Sequence, residues 1–222
     1  SDAGGALAVV RGPSTGVIAA VDIIDAPTMK VQVSGTTRKR LDVERMVALV
    51  AQLRIPAGTV VHLEEGGVGG GAGRTTASNS YVQGHNVGVW KGVLAGAGLK
   101  VVAANPKAWK SALGLAHKLA TKDESRVMAT AMFPEIAPLL TRKKDHGRAE
   151  SLLIAAYGHI AEYARGNGSN GGGGGGGDDD GLDPLCNRLR IMIREAAEAL
   201  AAEEEAGGVG DGEISEGENG SR

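Results

Sequence analysis

The sequence predicts an α/β fold in which a mixed sheet is flanked by helices. Two short apolar, β-branched runs open the chain, segments with helical and strand-like patterns then alternate, and one later strand is apolar on both faces. The 222 residues, 42% of them hydrophobic, are sufficient for one domain with its own core, whereas 36 glycines indicate additional unstructured segments.

The first strands are predicted at the amino-terminal end. Residues 5–10 (GALAVV) and 17–24 (VIAAVDII) are apolar runs joined by the turn-like residues 11–14 (RGPS), which predicts a β-hairpin. Residues 31–33 (VQV) are expected to extend this hairpin. Residues 36–40 (TTRKR) are expected to form a polar, basic connection.

Alternating helices and strands follow. Asp42 is a good helix N-cap residue, and the apolar residues after it recur at helical spacing through Leu53. Residues 59–63 (TVVHL) form the strand that is apolar on both faces, and they lead directly into Glu64 and Glu65. The other predicted elements are a glycine-rich loop over 66–84, helices over 85–97, 123–132 and 148–163, and a strand over 100–104.

The carboxy-terminal quarter differs in charge from the rest. Residues 1–165 carry 20 Lys and Arg against 13 Asp and Glu, whereas residues 166–222 carry 4 against 13. We expect a folded domain over 1–165, a Gly/Asp-rich flexible linker over 166–184, an amphipathic helix over 185–202 and an acidic disordered tail over 203–222. A basic domain favours a polyanionic partner, because each neutralised phosphate releases a bound counterion, but a solvated surface can have the same composition.

Several classes of protein are disfavoured. Cys186 is the only cysteine, so an internal disulfide is excluded and a reducing compartment is expected. The sequence has no apolar run of membrane-spanning length and no signal-peptide pattern at its start. It also lacks zinc-ligand spacing and the Gly-Lys-Ser/Thr ending of a nucleotide-binding loop.

Acidic residues at the ends of two predicted elements indicate where chemistry is expected. Glu64 and Glu65 end the apolar strand, and open α/β sheets place their sites at the carboxyl ends of strands. The alternative interpretation is that both acids only mark where the strand leaves the core. Both interpretations are open on the sequence.

A second acidic cluster opens the last apolar helix. Asp145 is expected at the helix entrance and Glu150 on the second turn, so both could face one point, with His146 beside them. Ordinary capping by acids is the alternative interpretation. Residues 142–144 (RKK) place cations beside these oxygens, which is an arrangement suited to metal-assisted phosphodiester hydrolysis. Magnesium or manganese suits such a set, because these cations prefer oxygen ligands.

Six short segments, taken in order, carry a resemblance to a known family. They are residues 1–8 (SDAGGALA), 25–29 (DAPTM), 38–42 (RKRLD), 61–64 (VHLE), 109–110 (WK) and 142–158 (RKKDHGRAESLLIAAYG). Together they resemble the ribonuclease H-like resolvases of the RuvC type, specifically the chloroplast Holliday junction resolvases of plants and algae. The resemblance covers about residues 1–163.

The resemblance implies a ribonuclease H-like fold and a homodimer that binds a four-way DNA junction and makes two symmetric nicks with Mg²⁺ or Mn²⁺. It also implies location in the chloroplast nucleoid, with any transit peptide absent from this chain. By position, the catalytic and metal-binding residues are Glu64, Asp145 and Glu150, with His146 as an alternative ligand. The first acid of the family would lie just before Ser1, so the first strand is expected to be truncated, or else Asp2 substitutes as a catalytic and metal-binding residue.

Nucleic-acid contacts are expected from basic residues and from one aromatic residue. The candidates for phosphate contacts are Arg38, Lys39, Arg40, Lys107, Lys110, Lys118, Lys122, Arg142, Lys143, Lys144 and Arg148, each of which could also be an ordinary surface charge. Tyr81 is the candidate for stacking on bases, whereas Trp90 is expected to pack in the core. The helix over 85–97 has apolar residues that could pair across a dimer axis.

Two other functions fit the same residues. One is a ribonuclease H-like nuclease that acts on another nucleic acid, such as the RNA strand of a hybrid. The other is a catalytically inactive junction-binding module, which a missing first acid would permit.

Overall fold

The computed structural model describes residues 5–12, 18, 20–65, 77–115 and 122–168, which form a mixed α/β fold. The strands are β1 (Ala6–Arg11), β2 (Ala20–Asp25), β3 (Thr28–Val33), β4 (Thr36–Leu41), β5 (Val60–Glu64) and β6 (Lys100–Ala104). The helices are α1 (Val43–Gln52), α2 (Ala77–Gly96), α3 (Pro106–Ala112), α4 (Lys122–Met132) and α5 (His146–Gly168), with 3-10 helices at Pro134–Leu139 and Lys143–Asp145. Asp2, Lys118 and the expectations for residues 169–222 lie outside the described residues.

Two antiparallel hairpins open the chain. β1 pairs with β2 from Ala6 opposite Asp25 to Arg11 opposite Ala20, which confirms the predicted first hairpin. β3 pairs with β4 in a second hairpin, so the prediction of a connection over 36–40 is wrong. The physical reason is the tight turn at Ser34 and Gly35, whose φ angles of 48° and 75° fold the polar segment back onto its neighbour.

β5 and β6 form a parallel pair that ends at Glu64 opposite Ala104. Within the described residues the six strands form three two-stranded sheets, instead of the continuous mixed sheet that the sequence suggested. Both pairing directions are present, as expected. The β5–β6 pair brings the carboxyl ends of two strands to one edge, and Glu64 lies at that edge.

The strands lie between two hydrophobic cores. Ala8 and Val10 of β1 pack against the core that contains Leu152, Leu153 and Ile160 of α5. Leu7 and Val9, which point the other way because side chains alternate along a strand, pack with the core formed mainly by α1 and α2, whose members are Leu7, Ala26, Leu41, Met46, Val50, Trp90, Leu94 and Leu99. The fold is therefore layered as helices, strands and helices, and Trp90 is buried as predicted.

Helix ends follow partly from local sequence. The Asp42 side chain accepts a hydrogen bond of 3.1 Å from the Arg45 amide at the start of α1, which confirms the predicted cap. α2 begins at Ala77, so the predicted loop is wrong over 77–84, where packing of the later turns outweighs the low helix propensity of glycine. α3 was not predicted, although Asn105 caps it and Pro106 occupies its first position. None of the helices in the described ranges is long and apolar enough to cross a membrane.

Candidate active site

A cavity of about 400 Å³ lies where the end of β5 faces α5 and α2. Glu64 enters it from the end of the strand, and Glu150 enters it from the second turn of α5. Gln83 and Trp90 of α2 form part of the opposite wall. The structure therefore brings together two of the acids that the sequence analysis selected, although they are 86 positions apart in the chain.

The charges in this cavity are not balanced. Burial raises the pKa of Glu64, and the neighbouring carboxylate of Glu150 raises this pKa further, while Lys110 lowers it. The Lys110 ammonium lies 3.4 Å from the Glu150 Oε1 atom and 5.1 Å from the centre of the Trp109 ring. Two carboxylates thus share one lysine, and an added cation would favour the ionised form of Glu64.

A close approach of helix to strand sets the spacing between the two acids. Gly158 of α5 lies against His62 of β5, and a Cβ atom at position 158 would be only 2.1 Å from His62 Cδ2. The His62 side chain is 6% exposed, and its Nε2 atom is 3.4 Å from Glu162. Glu64 is two residues after His62, on the same side of the strand, so this contact positions α5 beside both residues.

Asp145 lies in a second, smaller cavity of about 180 Å³, which adjoins the first because Gly5 and Gly147 line both. Its carboxylate accepts hydrogen bonds from the Arg142 amide at 2.9 Å and from Arg142 Nη2 at 2.8 Å, and Arg148 Nη1 is 3.7 Å away. These contacts, the Arg142 side chain above all, lower the pKa of Asp145 to about 2. Asp145 is therefore a buried carboxylate, ionised at neutral pH, that is held by arginine.

The structure also reveals a partner that the sequence analysis missed. Arg148 donates two hydrogen bonds to Asp25 at the end of β2, from Nε to Oδ1 at 2.7 Å and from Nη2 to Oδ2 at 2.5 Å. Arg148 also donates to the Leu139 carbonyl. This planar, bidentate contact ties the start of α5 to the first hairpin. The sequence signal that could have identified Asp25 was its position, as an acid, at the end of a predicted strand.

Of the remaining candidates, Lys39 and Lys144 line the cavity of Asp145. His146 begins α5, and its Nδ1 atom is 3.2 Å from the Lys143 carbonyl oxygen. Glu65 pairs with Lys91 at 2.5 Å. The basic candidates with exposed side chains are Arg38, Lys39, Lys107, Arg142, Lys143 and Lys144. Arg40 is partly exposed, and Lys122 is the first residue of α4. Tyr81 is 73% exposed and stacks on His85, with ring centres 6.1 Å apart.

In the parts of the chain that the structure describes, no three His, Cys, Asp or Glu side chains are grouped closely enough to hold a metal ion. Two carboxylates, Glu64 and Glu150, share a cavity, and Asp145 lies next to it.

Comparison with known proteins supports a relationship to resolvases. No protein-family model matches the sequence. Part of the sequence is similar to a curated protein, the chloroplastic Holliday junction resolvase MOC1 of Chlamydomonas reinhardtii. It is 41% identical to this chain over 91 residues, which are 41% of this chain and 10% of the resolvase. The chain thus spans about a tenth of the length of that curated relative.

Proposed function

We propose that this chain is a structure-selective DNA endonuclease that resolves four-way junctions by paired, metal-dependent nicks. The observation that carries this proposal is the cavity shared by Glu64 and Glu150, where carboxylates from a strand end and a helix start lie beside Lys110. The similarity to a Holliday junction resolvase supports the choice of substrate. The ribonuclease H-like arrangement is part of the proposal, supported by the layered α/β fold and by the position of the acid at a strand end.

Glu64 and Glu150 are the residues that would hold Mg²⁺ or Mn²⁺. Their oxygen donors and the raised pKa of Glu64 fit a hard cation, since such an ion removes the repulsion between the two carboxylates. Asp145, with His146 as an alternative, and Asp2 are the further ligands that the family resemblance suggests. Arg142 must release Asp145 before that carboxylate can bind a metal. A bound ion would polarise the phosphate and activate the attacking water.

The DNA is held mainly by phosphate contacts in this proposal. Three exposed cations, Lys39 of β4 and Arg142 and Lys144 just before α5, line the cavity of Asp145. Tyr81 is proposed to stack on bases at the junction, because its ring is exposed and is already aligned with His85. Lys110 neutralises part of the charge at the carboxylates, and Arg148 positions Asp145 through its contacts with Asp25 and Asp145.

A homodimer fits the symmetry of a four-way junction, because two active sites on one complex make the second nick effectively intramolecular. On α2, Gly84, Gly88 and Gly92 are exposed one turn apart, with open space where a Cβ would lie, so this helix could approach a second copy closely. Excess inactive Glu64→Gln protein mixed with parent should shift the product of a cruciform plasmid from linear DNA to open circles. An unchanged ratio, with a monomeric mass on DNA, would exclude the dimer.

We place the protein in the chloroplast and its nucleoid, since the relative is chloroplastic.

The proposed function is tested with a matched pair of variants. Glu64→Gln should abolish Mg²⁺-dependent nicking of a synthetic four-way junction and leave junction binding within a few-fold of the parent. Glu65→Gln removes the same charge from the neighbouring residue, which pairs with Lys91, and should retain nicking. Nicking by Glu64→Gln at the rate of Glu65→Gln would reject the assignment. Parallel assays on an RNA–DNA hybrid and a linear duplex, with and without Mg²⁺, separate the junction nuclease from another nuclease or an inactive binding module.

A further inference from the structure

The β3–β4 hairpin carries four cations and no acid. Lys30, Arg38, Lys39 and Arg40 lie within residues 28–41, a stretch without Asp or Glu. The side chains of Lys30, Arg38 and Lys39 are exposed, and that of Arg40 is partly exposed. The hairpin therefore presents a concentrated positive charge to solvent.

The pairing register divides these cations between two faces. Lys30 lies directly opposite Lys39, and Gln32 lies opposite Thr37, with a hydrogen bond of 2.9 Å between their side chains. Because side chains alternate along a strand, these four residues share one face, whereas Arg38 and Arg40 lie on the other. Lys39 also lines the cavity of Asp145. The face that carries Lys30 and Lys39 is thus continuous with the candidate active site.

The pairing register thus places two like charges directly opposite each other. Like charges directly opposite each other on paired strands repel, and a two-stranded hairpin has little stability of its own. A polyanion beside the two lysines changes this repulsion into attraction. Duplex DNA is such a polyanion, with about one negative charge per 1.7 Å of helix axis. Each strand of six residues is about 20 Å long, enough to follow several phosphates.

We infer that the β3–β4 hairpin is a DNA-binding ribbon, and that its Lys30 and Lys39 face holds the phosphate backbone of the duplex arm that enters the candidate active site. The inference rests on the proposed function in taking DNA as the ligand, and it adds Lys30 as a contact. The ribbon positions the arm without reading its sequence, because phosphate contacts carry no base information.

The test measures binding of the full chain to a fluorescent four-way junction and to a linear duplex, in EDTA, across a range of NaCl concentrations. Lys30→Gln should reduce the slope of log Kd against log salt by about 0.9, and Lys30→Gln/Lys39→Gln by about twice that. At about 0.1 M salt each loss corresponds to roughly five- to tenfold weaker binding. Lys100→Gln is the matched control, since Lys100 is also an exposed lysine on a strand. It pairs with Val60 at the start of β6, whereas Glu64 lies at the other end of the β5–β6 pair.

A second readout excludes misfolding as the cause. Lys30→Gln should keep or raise the thermal unfolding midpoint, by up to about 3 °C, because the repulsion from Lys39 is relieved. The inference is overturned if Lys30→Gln changes the salt slope no more than Lys100→Gln does, or if its weaker binding accompanies a lower midpoint. If the parent shows no preference for the junction but the ribbon variants bind linear duplex more weakly, the proposed function fails and the ribbon stands.

Discussion

The contact between Gly158 and His62 gives the sharpest test of how the fold sets the site. In Gly158→Ala the new Cβ would lie 2.1 Å from His62 Cδ2 and 2.7 Å from Nε2, and both distances are well inside an ordinary contact of about 3.5 Å. The imidazole ring is buried beside α5, where Glu162, one turn after Gly158, approaches its Nε2 atom at 3.4 Å. The ring and the helix are therefore expected to move apart, which changes the position of α5 relative to β5.

The size of the effect follows from two opposing contributions. Overpacking of this kind costs about 1–3 kcal/mol, whereas replacing glycine by alanine inside a helix contributes about 1 kcal/mol of stability. Gly88→Ala provides the matched control for the stability of the single chain, because nothing in that chain lies within 4 Å of the Cβ it would add. We expect Gly158→Ala to be about 1–3 kcal/mol less stable than Gly88→Ala. Nicking should fall further, since a displacement of about 1 Å between catalytic groups can cost roughly a hundredfold in rate.

The free energy of unfolding is measured by urea denaturation, with m-values checked for two-state behaviour. A double-mutant cycle with His62→Ala isolates the clash, because position 158 should accept alanine once the ring is removed. Equal stabilisation by Gly158→Ala and Gly88→Ala would refute the packing explanation. So would a Gly158→Ala effect that is the same with and without the His62 ring.

Three further predictions concern charged groups. Burial and the Glu150 carboxylate raise the pKa of Glu64 above 4.5, so ionisation of Glu64 costs stability at higher pH. Without metal, Glu64→Gln should therefore increase the free energy of unfolding at pH 8. Urea titrations should show that this gain vanishes below about pH 4.5. Arg142 lowers the pKa of Asp145 from 3.8 to about 2, so Asp145→Asn should lower the free energy of unfolding by about 1–2 kcal/mol at pH 7. This loss of stability should shrink as the pH falls from 3.8 towards 2. A loss that stays constant over this range would contradict the stabilising role of the Asp145 carboxylate. Arg148→Lys cannot form the bidentate contact with Asp25, so it should lower stability and nicking while leaving the salt slope of junction binding unchanged. A slope reduced by about 0.9 would instead identify Arg148 as a phosphate contact.

A loss of nicking does not have the same meaning in variants of Asp145 and of Glu64. Asp145→Asn removes a carboxylate that stabilises the fold, so a loss of nicking in that variant has two causes. Glu64→Gln removes a carboxylate whose ionisation is disfavoured, so its loss of nicking is not explained by unfolding. Glu64 is therefore the more informative position for testing the chemistry.

The sequence by itself determined the elements whose signals are local. Alternating apolar runs predicted the β1–β2 hairpin, and the Asp42 cap with helical spacing after it predicted α1. Glu64 at a strand end and Glu150 near a helix start were found for the same reason, because their neighbours define where those elements begin and end. These features depend on residues only a few positions apart, so periodicity and capping suffice to find them.

Tertiary structure alone decided which of the selected residues meet. Glu64 and Glu150 share a cavity, whereas Asp145, which the sequence placed beside Glu150, faces Arg142 instead. The contact of Arg148 with Asp25 joins residues 123 positions apart. Pairing of strands also turned the basic segment over 36–40 into β4 and set its Lys39 opposite Lys30 of the neighbouring strand. Burial and the distance between charges arise only when remote segments pack together, and for that reason no local pattern specifies them.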